Sequence, residues 1–295
     1  MILPSRILPA VSLLLGLLVS GGILSAADSA PAKKVVLIAG KKSHAVNTHE
    51  YEKGVRLFKD CLDHSPNVKG IETIVVTDGW PEDEKVLDDA ATILLFSDGS
   101  DGAEKNHPLL NGDRMDKLGK QMQRGCGFME VHYATFTPRE KAPQFLEWVG
   151  GFYDYESGPP PNNWWSKHEV IEVDLELPSP EHPISRGLAP LKLKEEYYYN
   201  MRFRTPDERR KSILSFGDDV EVGTVAWAIE RADGGRGFAY TGGHFHRNWA
   251  EETIRRMALN AILWTAHADV PADEVQSKLP ADWEAQFSTL PKKDK

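Results

Sequence analysis

Histidines and carboxylates follow the apolar runs of this 295-residue sequence with unusual regularity. Ser43, His44, His49 and Glu50 come after KVVLIA (Lys34–Ala39), and Asp98 and His107 come after TILLFS (Thr92–Ser97). His132 and Tyr133 close GFMEVHY, and His244 and His246 stand in GGHFH after the run ending at Thr241. Groups of this kind transfer protons, because imidazole titrates near neutrality, or they ligate a metal. His132 is the leading candidate. GFMEVHYAT places it where an apolar strand breaks into the next segment, the position that exposes a nucleophile in many α/β enzymes. No serine or cysteine occupies that point, which disfavours an acyl-enzyme hydrolase. His132 is therefore read as a base, with His244 polarising a carbonyl or returning the proton.

A divalent metal is the one cofactor the sequence allows for. On an extended segment His244 and His246 point to one side, and with His132 they are candidate ligands, although no zinc-type spacing accompanies them. A second cluster, Glu195-Glu196-Tyr197-Tyr198-Tyr199-Asn200-Met201-Arg202, combines carboxylates, aromatic faces and an amide, as sugar hydroxyls and ring C–H groups require. Its other reading is a strand with tyrosines packed on a sheet. The expected catalytic set is His132, His244 and Glu196. The expected substrate-binding set is His44, His49, Glu50, Asp98, Tyr133, Tyr198, Asn200, Arg202 and His246. Glu50 has a competing role, since Asn47 and Glu50 form an N-x-x-E capping pattern. His182 before Pro183 reads as a turn former. Asp233-Gly234-Gly235-Arg236-Gly237 reads as a hairpin turn and not as a phosphate loop, which would need a lysine and a following helix.

Alternating strands and helices must position these groups. Lys34–Ala39, Glu72–Thr77, Thr92–Ser97 and Gly127–His132 read as strands, the continuous apolar ones covered on both faces as in a parallel sheet. Tyr51, Val55, Phe58 and Leu62 share one face of a helix, and Met115, Leu118 and Met122 mark another. After an irregular stretch at Tyr153–Trp165, further strands are expected at His168–Leu175, Ser212–Phe216, Thr224–Ile229 and Gly237–Thr241. An amphipathic helix at Glu251–Ala266 follows them. This order predicts an α/β domain over residues 34–270 with a mostly parallel central sheet, and in such sheets ligands bind beyond the carboxyl ends of the strands. Residues 28–33 read as a linker, and 271–295 as a polar tail that packs loosely or not at all.

Met1–Ala27 reads as a cleaved signal peptide. Arg6 precedes an apolar run that is interrupted by glycines and ends in Ser25-Ala26-Ala27, and the run is shorter than a ~20-residue span. The mature chain is expected to be periplasmic or extracellular and not held to a membrane. Losing Arg6 moves the formal net charge from −9 to −10, which disfavours nucleic acid and anionic membrane as partners. A small-molecule carbohydrate fits better. Cys61 and Cys126 are the only cysteines, and they read as buried free thiols rather than a disulfide framework.

Taken together, GKKSHAVNTHEYEKG, DGWPED, FSDGS, GFMEVHYA, HPISRGL, EEYYYNMRF and WAIERADGGRGFAYTGGHFHRNW resemble the ThuA-like (trehalose utilisation) family, in particular its exported branch. The resemblance runs from about Gly40 to Trp264. It implies a three-layer sandwich similar to flavodoxin and class I glutamine amidotransferases, without amidotransferase activity, since Cys126 lies six residues before His132. It also implies work on trehalose-like disaccharides or their keto-glycosides as an isomerase, lyase or hydrolase, or else a non-catalytic role in carbohydrate binding. His132, His244, Glu196 and Tyr198 map onto the family's recurrent polar positions. The chain departs from that pattern at Glu195, Tyr197, Thr135-Phe136 and Asn163.

Overall fold

KVVLIA is apolar at every position, and it forms strand β1 (Lys33–Ala39) with Val35 to Ala39 inaccessible to solvent. The computed structural model describes residues 31–101, 103–156, 163–283 and 285; the expected leader lies outside them. From β1 the chain passes through α1 (Tyr51–Asp63), β2 (Ile71–Val76), β3 (Thr92–Phe96), α2 (Arg114–Gln123), β4 (Gly127–Val131) and α3 (Ala142–Trp148). The short strands β5 (Gly151–Phe152), β6 (Tyr155–Glu156) and β7 (Trp164–Trp165) lead to β8 (Lys167–Leu175) and β9 (Leu191–Tyr199). Then come β10 (Arg202–Phe203), β11 (Arg210–Ser215), α4 (Val220–Gly223), β12 (Thr224–Glu230), β13 (Arg236–Tyr240) and α5 (Glu252–Thr265).

Seven strands make the central sheet, in the order β11-β12-β13-β4-β3-β1-β2. Pairing is parallel from β13 to β2, while β11, β12 and β13 are antiparallel. The turn at Asp233–Gly235 joins β12 to β13 as its sequence requires. Alternate residues of β1 feed opposite layers. Val35, Leu37 and Ala39 pack with α1 and α5, and Val36 and Ile38 lie in the core lined by α2 and α3. The result is the expected α/β sandwich with a mostly parallel sheet. Its register places Ala39, Phe96, Val131 and Tyr240, the last residues of β1, β3, β4 and β13, in one row. Everything that follows those four residues in the chain emerges at the same edge.

Two expectations change. β8 is a strand but not of the central sheet: it pairs with β9 as a separate antiparallel hairpin. Its residues Lys167 to Val170 are exposed, which suits a hairpin open on one side and not a sheet interior. The polar tail is anchored in part, with Val275 and Trp283 buried in the core beside α1 and α5. Asn67 donates to the Glu274 carbonyl at 2.7 Å, and Arg256 pairs with Glu274 at 3.0 Å. Average polarity hid two apolar anchors. Cys61 and Cys126 are buried and unpaired with each other, and burial pushes their thiols up to about 11 and about 12. Among the described residues no helix is long and apolar enough to cross a membrane.

Candidate functional site

Four ligand-type atoms meet just beyond that row. His132 follows Val131 directly, His49 ends the loop after β1, His244 lies in the loop after β13, and Glu196 is delivered by β9. His49 Nε2 is 3.3 Å from His132 Nε2 and 2.9 Å from His244 Nδ1. Glu196 Oε2 is 2.9 Å from His244 Nδ1 and 3.5 Å from His132 Nε2. His132 and His49 adopt left-handed backbone conformations, with φ of 56° and 47°, at a cost of about 1–3 kcal/mol each for a non-glycine residue. That strain turns both rings into the cluster.

The far side of each buried ring is fixed. His132 Nδ1 donates to the Thr241 carbonyl at 2.6 Å, so in the neutral ring the Nε2 lone pair faces the cluster. His49 Nδ1 is 2.7 Å from the Tyr51 hydroxyl, which donates to Asp98 Oδ1 at 2.5 Å. The phenol has one proton, and it goes to the carboxylate; Tyr51 therefore accepts from His49 Nδ1–H, leaving the His49 Nε2 lone pair pointing inward. A parallel relay joins His44 Nδ1 to the Ser43 hydroxyl at 2.7 Å and Ser43 to the same Asp98 oxygen at 2.7 Å. Asp98 thus orients two imidazoles, which stack with centroids 3.6 Å apart. Burial, reinforced by the neighbouring imidazoles, pushes His49 down to about 2. Burial also lowers His44, against the pull of Asp98. Both rings are neutral at pH 7. Burial tends to raise Glu196, but the adjacent imidazoles, His244 above all at 2.9 Å, outweigh that and hold it well below the usual carboxylate range.

Alternation along β9 sorts its two acids. Leu193, Glu195 and Tyr197 turn to the core, while Glu196 and Tyr198 turn to the site. Glu195 is fully buried and braces the loop carrying His244. Its oxygens accept from the backbone N–H of Gly243 and Phe245, each at 3.2 Å, and from Asn248 Nδ2 at 3.0 Å. Gly243 makes this possible with φ of 110°, a region open to glycine.

Above the floor lies a cavity of about 200 Å³, smaller than the ~300–1,000 Å³ of pockets that enclose drug-sized ligands. It has room for one sugar ring. Tyr133, Phe136, Tyr153 and Tyr198 form apolar walls, and His44, Asp101, His168, Glu196 and His244 supply polar edges. Tyr155 and Trp165 continue the aromatic surface outward, 50% and 54% exposed and stacked on each other.

Of the residues expected from sequence, His44, His49, Asp98, His132, Tyr133, Glu196, Tyr198 and His244 come together. Four do not. Glu50 accepts from the Asn47 backbone N–H at 2.7 Å and pairs with Lys42 at 3.1 Å; the helix begins only at Tyr51, so the N-x-x-E pattern closes a loop rather than a cap. Asn200 donates its amide to the Trp165 carbonyl, and Arg202 pairs with Asp154 at 3.0 Å. His246 starts a 3₁₀ turn and packs on Trp283 with centroids 5.1 Å apart. The GGHFH segment turns instead of extending, so its two histidines diverge, and His49 and Glu196 take the place given to His246 among the possible ligands. His132 itself has no solvent exposure and lies beneath the cavity, which does not suit a base that must reach substrate. His107 is also structural. It is fully buried between the Ala134 carbonyl, at 3.0 Å, and the Leu109 N–H, at 3.3 Å. His182 caps a turn as expected, accepting from the Ile184 N–H at 3.2 Å. The sequence reading missed Tyr51, Tyr153 and His168 as site residues. His168 stands opposite Tyr198 in the β8–β9 register, a signal available only once that pairing is known.

The sequence profile of the family described as ThuA, trehalose utilisation, matches residues 35–265. The chain belongs to the ThuA family. Among solved structures, a ThuA-like protein from Bacteroides uniformis superposes with a TM-score of 0.57 at 17% identity, covering 83% of this chain and 95% of that one. A ThuA-like protein from Parabacteroides merdae gives 0.53 at 17% identity, covering 86% and 94%. A glutamine amidotransferase from Thermotoga maritima gives 0.42 at 10% identity, covering 80% and 96%. No curated protein matches the chain. ThuA-family membership and the shared fold accord with the sequence motifs.

Proposed function

We propose that this ThuA-family chain is an exported enzyme of carbohydrate catabolism that acts on trehalose-like disaccharides or their keto-glycosides by moving a proton beside a sugar carbonyl. The observation that carries the reading is the cavity itself: aromatic walls sized for one sugar ring, above a floor of three imidazoles and a carboxylate. Tyr133, Phe136, Tyr153 and Tyr198 offer faces for ring C–H groups, and the outer pair Tyr155 and Trp165 offers a platform for a second ring.

The base best placed for the chemistry is His44. It lines the cavity with its side chain 38% exposed, and Asp98 acting through Ser43 leaves its Nε2 lone pair available. That lone pair takes a proton from the carbon next to the carbonyl, and the C–H electron pair moves onto the carbonyl oxygen as an enolate. Return of the proton to the same carbon exchanges or epimerises it; return to the former carbonyl carbon, with the proton of the neighbouring hydroxyl passing to the enolate oxygen, moves the carbonyl by one position. The enolate oxygen is stabilised by a preorganised hydrogen-bond donor or a positive group, and two inward lone pairs with a carboxylate supply neither.

A second reading, a carbohydrate-binding module, is favoured by the aromatic walls alone. Incubation with trehalose, other glucosides and their 3-keto forms, followed by NMR, separates the two. The enzyme reading expects a product or exchange of a ring proton; saturable binding of these sugars with neither result would leave the binding module.

A further inference from the structure

The floor contains more acceptors than donors. His49 Nε2, His132 Nε2 and Glu196 Oε2 all face inward as lone pairs, and His244 Nδ1, 2.9 Å from both His49 and Glu196, has one proton to give. The Tyr198 hydroxyl is 3.4 Å from His132 Nε2, at the long limit of a hydrogen bond. Two imidazole lone pairs 3.3 Å apart repel each other, and bulk solvent does not screen them: His132 is 0% and His49 2% exposed.

A cation removes the conflict, and the spacing fits one. Ligand atoms bound tetrahedrally at 2.0–2.1 Å lie about 3.3 Å apart. The recorded separations here are 2.9, 2.9, 3.3 and 3.5 Å, and all four atoms lie within 4.8 Å of one another. The rings are also held as metal-bound histidines are, with the outer N–H given to a backbone carbonyl or to a carboxylate relay. His132 donates to Thr241, and His49 donates through Tyr51 to Asp98.

We propose that His49, His132, His244 and Glu196 form a binding site for one divalent transition-metal ion of the zinc type at the base of the cavity. Three borderline imidazole donors and one carboxylate select such an ion over calcium or magnesium, which take oxygen ligands. The site deepens the sugar-processing reading and rests on it for its purpose, since the ion is the stabilising group that reading requires. His132 is then a ligand and not a base. The exposed sides of Glu196 and His244 face the cavity, where a sugar oxygen can approach.

The test needs no sugar. Untagged full-length mature protein is stripped with chelator, dialysed against Zn²⁺, desalted and measured for metal content; Co²⁺ loading gives a second readout through the intense visible bands of tetrahedral cobalt. One ion per chain is expected, with strong Co²⁺ bands. Glu196→Gln, which keeps the side-chain volume, should weaken Zn²⁺ binding at least tenfold, while His64→Ala, at an exposed histidine, should leave it unchanged. Substoichiometric zinc in the folded wild type, or equal affinity in Glu196→Gln, would overturn the site. Stoichiometric zinc without any sugar exchange would keep the site and sink the sugar reading instead.

Discussion

Tyr51 donates its hydroxyl proton to Asp98 Oδ1 at 2.5 Å, and that direction of donation decides the tautomer of His49. Asp98 also receives the Ser43 hydroxyl, so one carboxylate oxygen orients an imidazole in the floor and another in the wall. Removing the relay hydroxyl tests the arrangement without touching any ligand. Tyr51→Phe should fold, lose about 1–3 kcal/mol from the polar groups left unpaired, and bind Zn²⁺ about 10–100-fold more weakly. Competition titration against a chromophoric chelator measures the second effect. An unchanged affinity would show that His49 needs no orienting partner.

Glu195 is a positioning residue for His244. Glu195→Gln replaces one acceptor oxygen with a donor facing backbone N–H or amide groups, and hydrogen bonds to a charged acceptor contribute about 1.5–3 kcal/mol each. A loss of about 2–4 kcal/mol in urea unfolding is expected, with faster hydrogen exchange at the Gly243 and Phe245 amides. Stability lost without faster exchange at those amides would place the defect elsewhere.

The framework was legible in the sequence because its signals are local. KVVLIA, TILLFS and GFMEV are too apolar to be anything but covered strands, and the histidines after them had to emerge at one edge. Glu196 and Tyr198 were legible as types but not as neighbours of His132, because a separate hairpin brings them in and no local pattern encodes which sheet a strand joins. Tyr51 was read as an apolar helix residue; its ring is indeed buried, and only its hydroxyl belongs to the site. His246 misled because strand alternation was assumed for a segment that turns. Trp283 was overlooked because a single large side chain can anchor a segment whose average is polar.

Trp283 tests that last point. It is 4% exposed against the core beside α1 and α5, and truncating a buried tryptophan costs about 3–5 kcal/mol. Trp283→Ala should lower the unfolding midpoint by that free energy at constant m-value. A change under about 1 kcal/mol would mean the segment contributes little.

Acid stability should depend on His107. Burial holds its folded-state value down to about 4, against 6.5 for an ordinary imidazole, so between these values the unfolded chain binds a proton that the folded chain refuses. Stability from this residue is intact above pH 6.5 and is lost as pH falls toward 4, by about 3 kcal/mol at 1.36 kcal/mol per unit. His107→Gln removes the titration while retaining an amide donor. Urea denaturation of both proteins from pH 7 to pH 4.5 should give a shallower pH slope for the variant; equal slopes would show that other groups govern the acid limb.

The central claim is that the cavity moves a proton on a bound sugar, with His44 as the base above a positive floor. Proton exchange in D₂O at the carbon beside the carbonyl of 3-keto-trehalose, followed by NMR, measures this directly. Zn²⁺-loaded wild type should wash deuterium into that position. His44→Asn should slow the exchange by about 10²-fold or more, the usual contribution of a positioned acid–base group, while sugar affinity changes by no more than about tenfold, as expected for one neutral hydrogen bond. Saturable binding with no deuterium incorporation by the wild type, or exchange that persists at full rate in His44→Asn, would contradict the account.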